Sequence, residues 1–372
     1  MINVILVFIF PKCLRGCGAQ KNVRRKMRYL KNTWYVAAWA HELRPNELFS
    51  RQLFGKAIVM FRRTDGTPVA LDDRCPHRFA PLSKGRLIEN SIQCGYHGLQ
   101  FDGAGDCVHN PHGTGVVPKA CRVPAYPMQE RHGIVWIWPG NPELADIDFI
   151  PDFSYLVATD RKTVFGMAQV QADYELIVDN LMDASHTQYV HKDLLGTAAF
   201  ARSKHEVIHD EQVVHSNYLI PNSEVPEAYK EYFPADPSLR VDYSVNFRWT
   251  PPALVRNSVS LLPVADSKVN GILRTGTHLM TPAADCSAHY FFAHTRNFQL
   301  DDEKVDERIR WWQKAGLTDQ DGTMIEAVQR VMGTDDLDSL SPALFSIDIA
   351  AVRVRRALGQ LIAKENELTN SN

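Results

Sequence analysis

Four metal-binding side chains stand in two short windows of the sequence. Cys75 and His77 form a Cys-x-His pair, and after sixteen intervening residues Cys94 and His97 form a Cys-x-x-His pair. Two thiolates and two imidazoles suit either a structural zinc ion or a [2Fe–2S] centre with both imidazoles on one iron. The single residue inside Cys-x-His hinders a chelate to one ion and suits a Cys on one iron with a His on the other. In the second case the thiolates hold the buried iron and the imidazoles the outer one. Replacing two anionic thiolates by neutral imidazoles raises the potential to roughly −150 to +300 mV, far above that of an all-Cys cluster, so such a centre is a relay for electrons. Cys107 and Cys121 lack partners at ligand spacing and read as buried core residues.

A second polar cluster lies at residues 180–191, NLMDASHTQYVH. Asn180, Asp183 and His186 recur every third residue and would share one helical face, while His191, five beyond His186, demands a break after that helix. A third candidate is Asp321. It heads the row Asp321, Ile325, Val328 and Met332 on the apolar face of a predicted helix, whereas Asp319 aligns with Thr323, Glu326 and Arg330. A carboxylate on an apolar stripe needs a cationic partner or a metal.

These residues must be positioned by two different kinds of structure. Short β-type runs closed by Gly, Pro, Asp or Asn turns fill residues 57–138, an all-β module that carries both Cys/His pairs in its loops. The Pro-rich stretch Pro139–Pro151 marks a boundary, giving an expected extension at 1–26, a first domain at 27–145 and a second at 146–372. In the second domain KTVFGMAQVQ reads as a strand and Asp173 caps a helix through YELIVDNLMD. Further strands are expected at 205–219, 242–248, 257–264, 271–281 and 288–297. Asp301 and Asp302 open a helix through EKVDERIRWWQKAG, a second helix fills roughly 319–332, and the charged tail after Arg353 is helix-prone and frays at NELTNSN.

With 372 residues, 45% hydrophobic and 23% charged, the chain can bury a sizeable core. A net charge of −2 offers no basic field for nucleic acid or an anionic membrane, so a small molecule is the expected ligand. Seven cysteines spread over this length do not resemble a secreted disulfide framework, and a reducing cytoplasm is expected. The apolar run Val4–Phe10 is too short to span a bilayer, and no cleavage-site pattern follows it.

The flanks CPHR and CGYHGLQFD resemble the cluster loops of Rieske proteins, with Leu99 where Trp is usual. Asp183-x2-His186-x4-His191 resembles the mononuclear iron site of Rieske non-heme iron oxygenases, and the likeness runs from Trp34 to Arg355, nearest the vanillate and dicamba O-demethylase branch. The resemblance implies an α+β chain: an N-terminal Rieske domain followed by a helix-grip catalytic domain with an antiparallel sheet. It implies that Cys75, His77, Cys94 and His97 hold the cluster and that His186 and His191 ligate Fe(II). A third ligand, for which DGTMIEAVQ also points to Asp321, completes a facial triad with open positions for O2. It further implies a head-to-tail homotrimer in which the cluster of one subunit serves the iron of its neighbour. Asp183 would bridge the two centres, accepting from His97 across the interface and from His186 on its own side.

In the O-demethylase branch the positions of Asn257, His278 and Trp312 line the substrate pocket, with Trp311 the alternative to Trp312. Asn and His could hydrogen-bond a carboxylate, amide or phenol, and Trp could cover an aromatic face. The implied chemistry is oxidation of a methyl or alkyl carbon on O or N of a small aromatic, with ring or methyl hydroxylation second. A Rieske electron carrier is the alternative of another class, for which the second His/His/Asp set would be superfluous. No G-x-G-x-x-G loop followed by an acidic residue occurs, so electrons must come from a separate NAD(P)H-dependent reductase, directly or through a ferredoxin.

Overall fold

Our computed structural model describes residues 28–233, 236–264 and 270–370. The extension expected at 1–26, with Cys13 and Cys17, lies outside them.

Runs of two to seven β-favouring residues, interrupted by turn formers, give the first part eleven short strands among the described residues. These are β1 (Tyr35–Trp39), β2 (Phe49–Leu53), β3 (Lys56–Arg62), β4 (Pro68–Asp72), β5 (Arg86–Ile88), β6 (Ser91–Gln93), β7 (Gln100–Phe101), β8 (Cys107–His109), β9 (Ala125–Tyr126), β10 (Met128–Arg131) and β11 (Ile134–Ile137). They make three antiparallel sheets in the orders β1-β11-β10, β2-β3-β4-β9 and β5-β6-β7-β8. The last of these is too small to bury a core of its own. It packs Ile92, Leu99 and Phe101 against Val59, Phe61 and Leu71 of the neighbouring sheet.

The second part is one seven-stranded antiparallel sheet with helices on one face. Its strands are β12 (Lys162–Val170), β13 (Lys204–Asp210), β14 (Val213–Glu224), β15 (Arg240–Thr250), β16 (Leu254–Pro263), β17 (Ile272–Ala284) and β18 (Ser287–Arg296), in the order β12-β18-β17-β16-β15-β14-β13. Strict alternation builds it: along β15, Val241, Tyr243, Val245, Phe247 and Trp249 point to the core while Asp242 and Asn246 point to solvent. The helices α1 (Tyr174–Met182), α2 (Glu303–Trp312), α3 (Thr323–Met332) and α4 (Ile349–Asn370) complete it.

Four local expectations change. The strand expected at 205–219 is a hairpin, β13 and β14, turning at Glu211 with φ 50°. Residues Gln313–Gly322 are a π-helical link that fuses α2 to α3. The C-terminal segment is helical from Ile349 to Asn370 instead of fraying from Asn366. Cys107 and Cys121 are half-buried at the edge of the core, not buried in it.

Strand β18 is buried along its whole length, because both of its faces are covered. Tyr290 and Phe292 belong to the core beneath the helices, while Phe291 and Ala293 pack with Trp34, Trp39 and Trp136 of the first part. Hydrogen bonds reinforce this seam: Thr281 Oγ1 donates to the Val36 carbonyl at 2.7 Å, Trp39 Nε1 to the Gly166 carbonyl at 3.0 Å, and the amides of Phe54 and Gly55 to the carbonyls of Pro282 and Ala283.

Candidate metal centres and active site

The two Cys/His loops are tight turns. In the first, the Phe79 amide donates to the Cys75 carbonyl at 2.9 Å; in the second, Gly98 donates to Cys94 at 3.0 Å, and the φ of 76° at Gly98 is one that a residue with a Cβ seldom takes. The turns set the thiols inward and the rings outward. Cys75 and Cys94 are buried, His77 is exposed and His97 half-buried, with the imidazole centroids 4.5 Å apart. Burial, with Cys94 beside it, pushes the Cys75 thiol up to about 11. His97 Nδ1 is enclosed with no hydrogen-bond partner. Two crowded thiols and an orphaned imidazole nitrogen are what a cationic iron pair would satisfy, so the residues fit a [2Fe–2S] group.

The second centre forms where α1 stops. Asp183, with extended φ −118° and ψ 103°, ends α1, and its carboxylate caps the next turn by accepting from the Ser185 amide at 2.8 Å. Asn180, Asp183 and His186 therefore do not share one helical face; the break falls at Asp183, ahead of His186. His186 lies in a 3-10 turn over Ala184–Gln188, and His191 follows in the next loop. Asp321 is supplied by the π-helical link, and Ile325 and Gln329 continue its inward row. Val328 is exposed, contrary to the sequence row, and Gln329 faces inward because it accepts from the Asp173 amide at 2.8 Å.

His191 Nε2 lies 3.0 Å and His186 Nε2 3.5 Å from Asp321 Oδ1, and one ligand atom from each of the three residues lies within 4.8 Å of the others. The other ring nitrogens are occupied. His186 Nδ1 donates to the backbone carbonyl of Asp183 at 2.5 Å, and His191 Nδ1 donates to Gln320 Oε1 at 2.6 Å. The expectation that the Asp183 carboxylate holds His186 is thus corrected: its main-chain oxygen does so, because the carboxylate is engaged at Ser185. With both Nδ1 protons committed, three lone pairs converge, and a cation reconciles them. Asn180 Nδ2 donates to Asp321 Oδ1 at 3.3 Å and so steadies the carboxylate.

This triad lines a cavity between α1, the π-helical link and the helix-covered face of the sheet, with about 590 Å³ of empty space counted out through its open mouth. Asn257, His278 and Trp312 all line it as well; Trp312 is the inward one of its pair at 7% exposure, against 47% for Trp311. Burial, aided by the Arg274 cation, lowers His278 to about 3, so the ring is neutral. Tyr290 Oη donates to its Nδ1 at 2.6 Å, and its Nε2 donates to Asn257 Oδ1 at 3.3 Å, which leaves the Asn257 amide N–H groups for a ligand. Leu195, Phe200, Phe247 and Leu317 make the walls apolar.

Sequence reasoning missed Gln320, Tyr290, Tyr229 and Arg274. Gln320 adjoins Asp321 and could have been sought as a partner for a ligating histidine; the others sit on or near strands with no motif around them.

Residues 33–127 match the Rieske [2Fe-2S] domain, and residues 170–364 match the vanillate O-demethylase oxygenase C-terminal domain. The chain belongs to the Rieske non-heme iron oxygenases. The dicamba O-demethylase oxygenase component of Stenotrophomonas maltophilia is 41% identical over 90% of this chain and 98% of its own. The chloroacetanilide N-alkylformylase oxygenase component of Rhizorhabdus wittichii is 38% identical over 91% and 97%. The crystal structure of dicamba monooxygenase bound to 3,6-dichlorosalicylic acid superposes with a TM-score of 0.86 at 39% identity, covering 91% of this chain and 99% of that one. As a Rieske oxygenase the chain is a monooxygenase component with an all-β cluster domain and an α+β catalytic domain. Among its described residues no helix is long and apolar enough to cross a membrane.

Proposed function

We propose that this Rieske oxygenase removes a methyl or alkyl group from O or N of a small aromatic compound. The observation that carries this reading is the shared cavity: the His186, His191 and Asp321 nitrogens and oxygen open into the same apolar space as Asn257, His278 and Trp312. The relatives support it, one named as an O-demethylase and one as an N-alkylformylase.

Fe(II) at His186, His191 and Asp321 would supply O2 activation, fed by the cluster at Cys75, His77, Cys94 and His97. The chain's own side chains bind and orient. Tyr290 and His278 fix Asn257 so that its amide donates to a polar group of the substrate, and Trp312 covers the ring. The apolar walls keep water out, so that oxidising equivalents reach carbon. One O2, two electrons and two protons convert an aryl methyl ether to the phenol, formaldehyde and water, through a hemiacetal that collapses; an N-alkyl group leaves by way of a carbinolamine.

We assign residues 27–145 to electron reception and 146–372 to oxygen chemistry, in a head-to-tail homotrimer in which Asp183 carries electrons from a neighbour's His97. Half-burial of Asp183 and the outward setting of both cluster imidazoles support the bridge. The electrons come from a separate NAD(P)H-dependent reductase, directly or through a ferredoxin, in the cytoplasm.

Aerobic turnover of methoxybenzoates and N-alkyl anilides with a surrogate reductase tests the reaction: aldehyde and dealkylated aromatic are expected in equal amounts. Hydroxylated product without aldehyde overturns it. Asp183→Asn tests the bridge. Asn keeps the cap on Ser185 while losing the charge, so both metals stay bound and cluster reoxidation slows roughly 10–100-fold; unchanged stopped-flow reoxidation refutes the assignment.

A further inference from the structure

Strand parity puts a cation where a hydrophobic residue would be expected. Arg274, Gly276, His278 and Met280 share one face of β17, and Leu273 and Thr275 share the other. Arg274 is 7% exposed while its neighbour Leu273 is 43% exposed, the reverse of ordinary partitioning. Buried arginines elsewhere in the chain have carboxylates: Arg296 meets Asp306 at 2.5 Å, and Arg355 meets Asp179 and Asp338. Among the described residues Arg274 has none. Its guanidinium carbon sits 4.7 Å from the Trp312 ring centroid and 5.0 Å from that of Tyr229, faces that offset part of the cost of burying the charge.

The surroundings repeat the imbalance. Arg274 Nε, Trp312 Nε1 and Tyr229 Oη are all buried without hydrogen-bond partners, and all three residues line the cavity. The Asn257 amide adds further N–H donors. Asp321, which faces the metal position, is the one acid among the described lining residues. Donor-bearing side chains and a permanent positive charge thus stand around a space in which Asp321 is the only carboxylate among the described lining residues.

We infer that Arg274 is the anion-recognising residue of this pocket and that the substrate is an aromatic carboxylate, its acid group held on the Arg274 guanidinium. The planar fork of a guanidinium matches a carboxylate with two parallel hydrogen bonds, and an amide or ether leaves the charge unpaired. This rests on the reading of the cavity as the substrate site, and it decides between acid and neutral substrates, which that reading leaves open.

Calorimetric binding to the holoenzyme tests it without turnover. The probes are the 2-, 3- and 4-methoxybenzoates, the matching methoxybenzamides and 4-toluenesulfonate. At least one benzoate is expected to bind roughly 10–100-fold more tightly than its amide, the scale of a hydrogen bond to a charged group. Arg274→Met erases that preference and Arg274→Lys keeps part of it. Tyr229→Phe, which removes a donor and leaves the charge, weakens the acid severalfold and the amide little, and it reports even where Arg274→Met fails to fold. Equal affinity for acids and amides, no binding by any acid, or a preference that survives in Arg274→Met overturns the proposal; tighter binding of the sulfonate than of every benzoate overturns its carboxylate part. Aldehyde formed from an amide, with no effect of Arg274→Met, removes the anion site and leaves dealkylation standing. An acid preference without aldehyde does the opposite.

Discussion

Replacing Gln320 by leucine isolates the one contact that fixes His191 from behind. Gln320 Oε1 accepts from the buried His191 Nδ1 at 2.6 Å in a half-buried setting, and that bond commits the ring proton to Nδ1 and turns Nε2 toward Asp321. Leucine keeps the volume and removes the acceptor. The Nδ1–H is then buried unpaired, at a cost of roughly 1–3 kcal/mol, unless the ring takes the other tautomer, in which case Nε2 carries a proton and cannot ligate. Either route weakens iron binding by about 10–100-fold. The measurement is competition for Fe(II) with a chelator of known affinity, alongside the Rieske EPR signal, which must stay unchanged because Gln320 lies in the other domain. Iron affinity within about twofold of the parent would refute the claim that this hydrogen bond sets the ligand.

Gly276→Ala places a methyl carbon 1.9 Å from Asn257 Oδ1 and 2.9 Å from His278 Nε2, so Asn257 must swing away and its bond to His278 is lost. With a buried donor orphaned at about 1–3 kcal/mol, KM is expected to rise roughly 10–100-fold while the cluster signal persists; an unchanged KM in steady-state assays would contradict the geometry. Asp173 is pushed up to about 7 by burial, with Asp335 and Asp179 adding to the rise and Arg28 opposing it. A carboxyl whose folded value is raised contributes stability that is full below the ordinary carboxylate range and is lost as pH climbs through about 7. Asp173→Asn keeps the cap on the Glu175 amide and removes that titration, so the fall in Tm between pH 6 and 8, roughly 2–5 °C in the parent, should shrink in the variant. Equal slopes by calorimetry would show that Asp173 is not the group responsible.

Local patterns made much of this molecule readable from its sequence. Cys75, His77, Cys94 and His97 are legible because both loops hold their donors within four residues of one another. The Asp173 cap and α1 are legible because capping and helical periodicity act over a single turn. Asp321 could be reached through its apolar helical row, although Gln329, not Val328, shares its inward face. The break at Asp183 was misplaced because a carboxylate that caps the next turn looks, at spacing three, like one on a continuing helix. The hairpin of β13 and β14 escaped notice because its turn uses Glu211–Gln212 without the Gly or Asn that such turns favour. Arg274 was hidden by parity itself: a row of Arg, Gly and His beside a row containing Leu reads as the solvent face, and the fold turns it inward.

Strand β18 serves two masters at single-residue pitch, and this sets limits on recombination. Phe291 and Ala293 would lie bare if the cluster-bearing half were cut away, together with Leu279 and the Thr281 hydroxyl. The halves are therefore not interchangeable cassettes: swapping in the first half of another oxygenase will yield soluble chimeras where the tryptophans that meet this strand are transplanted with it, and inclusion bodies where they are not.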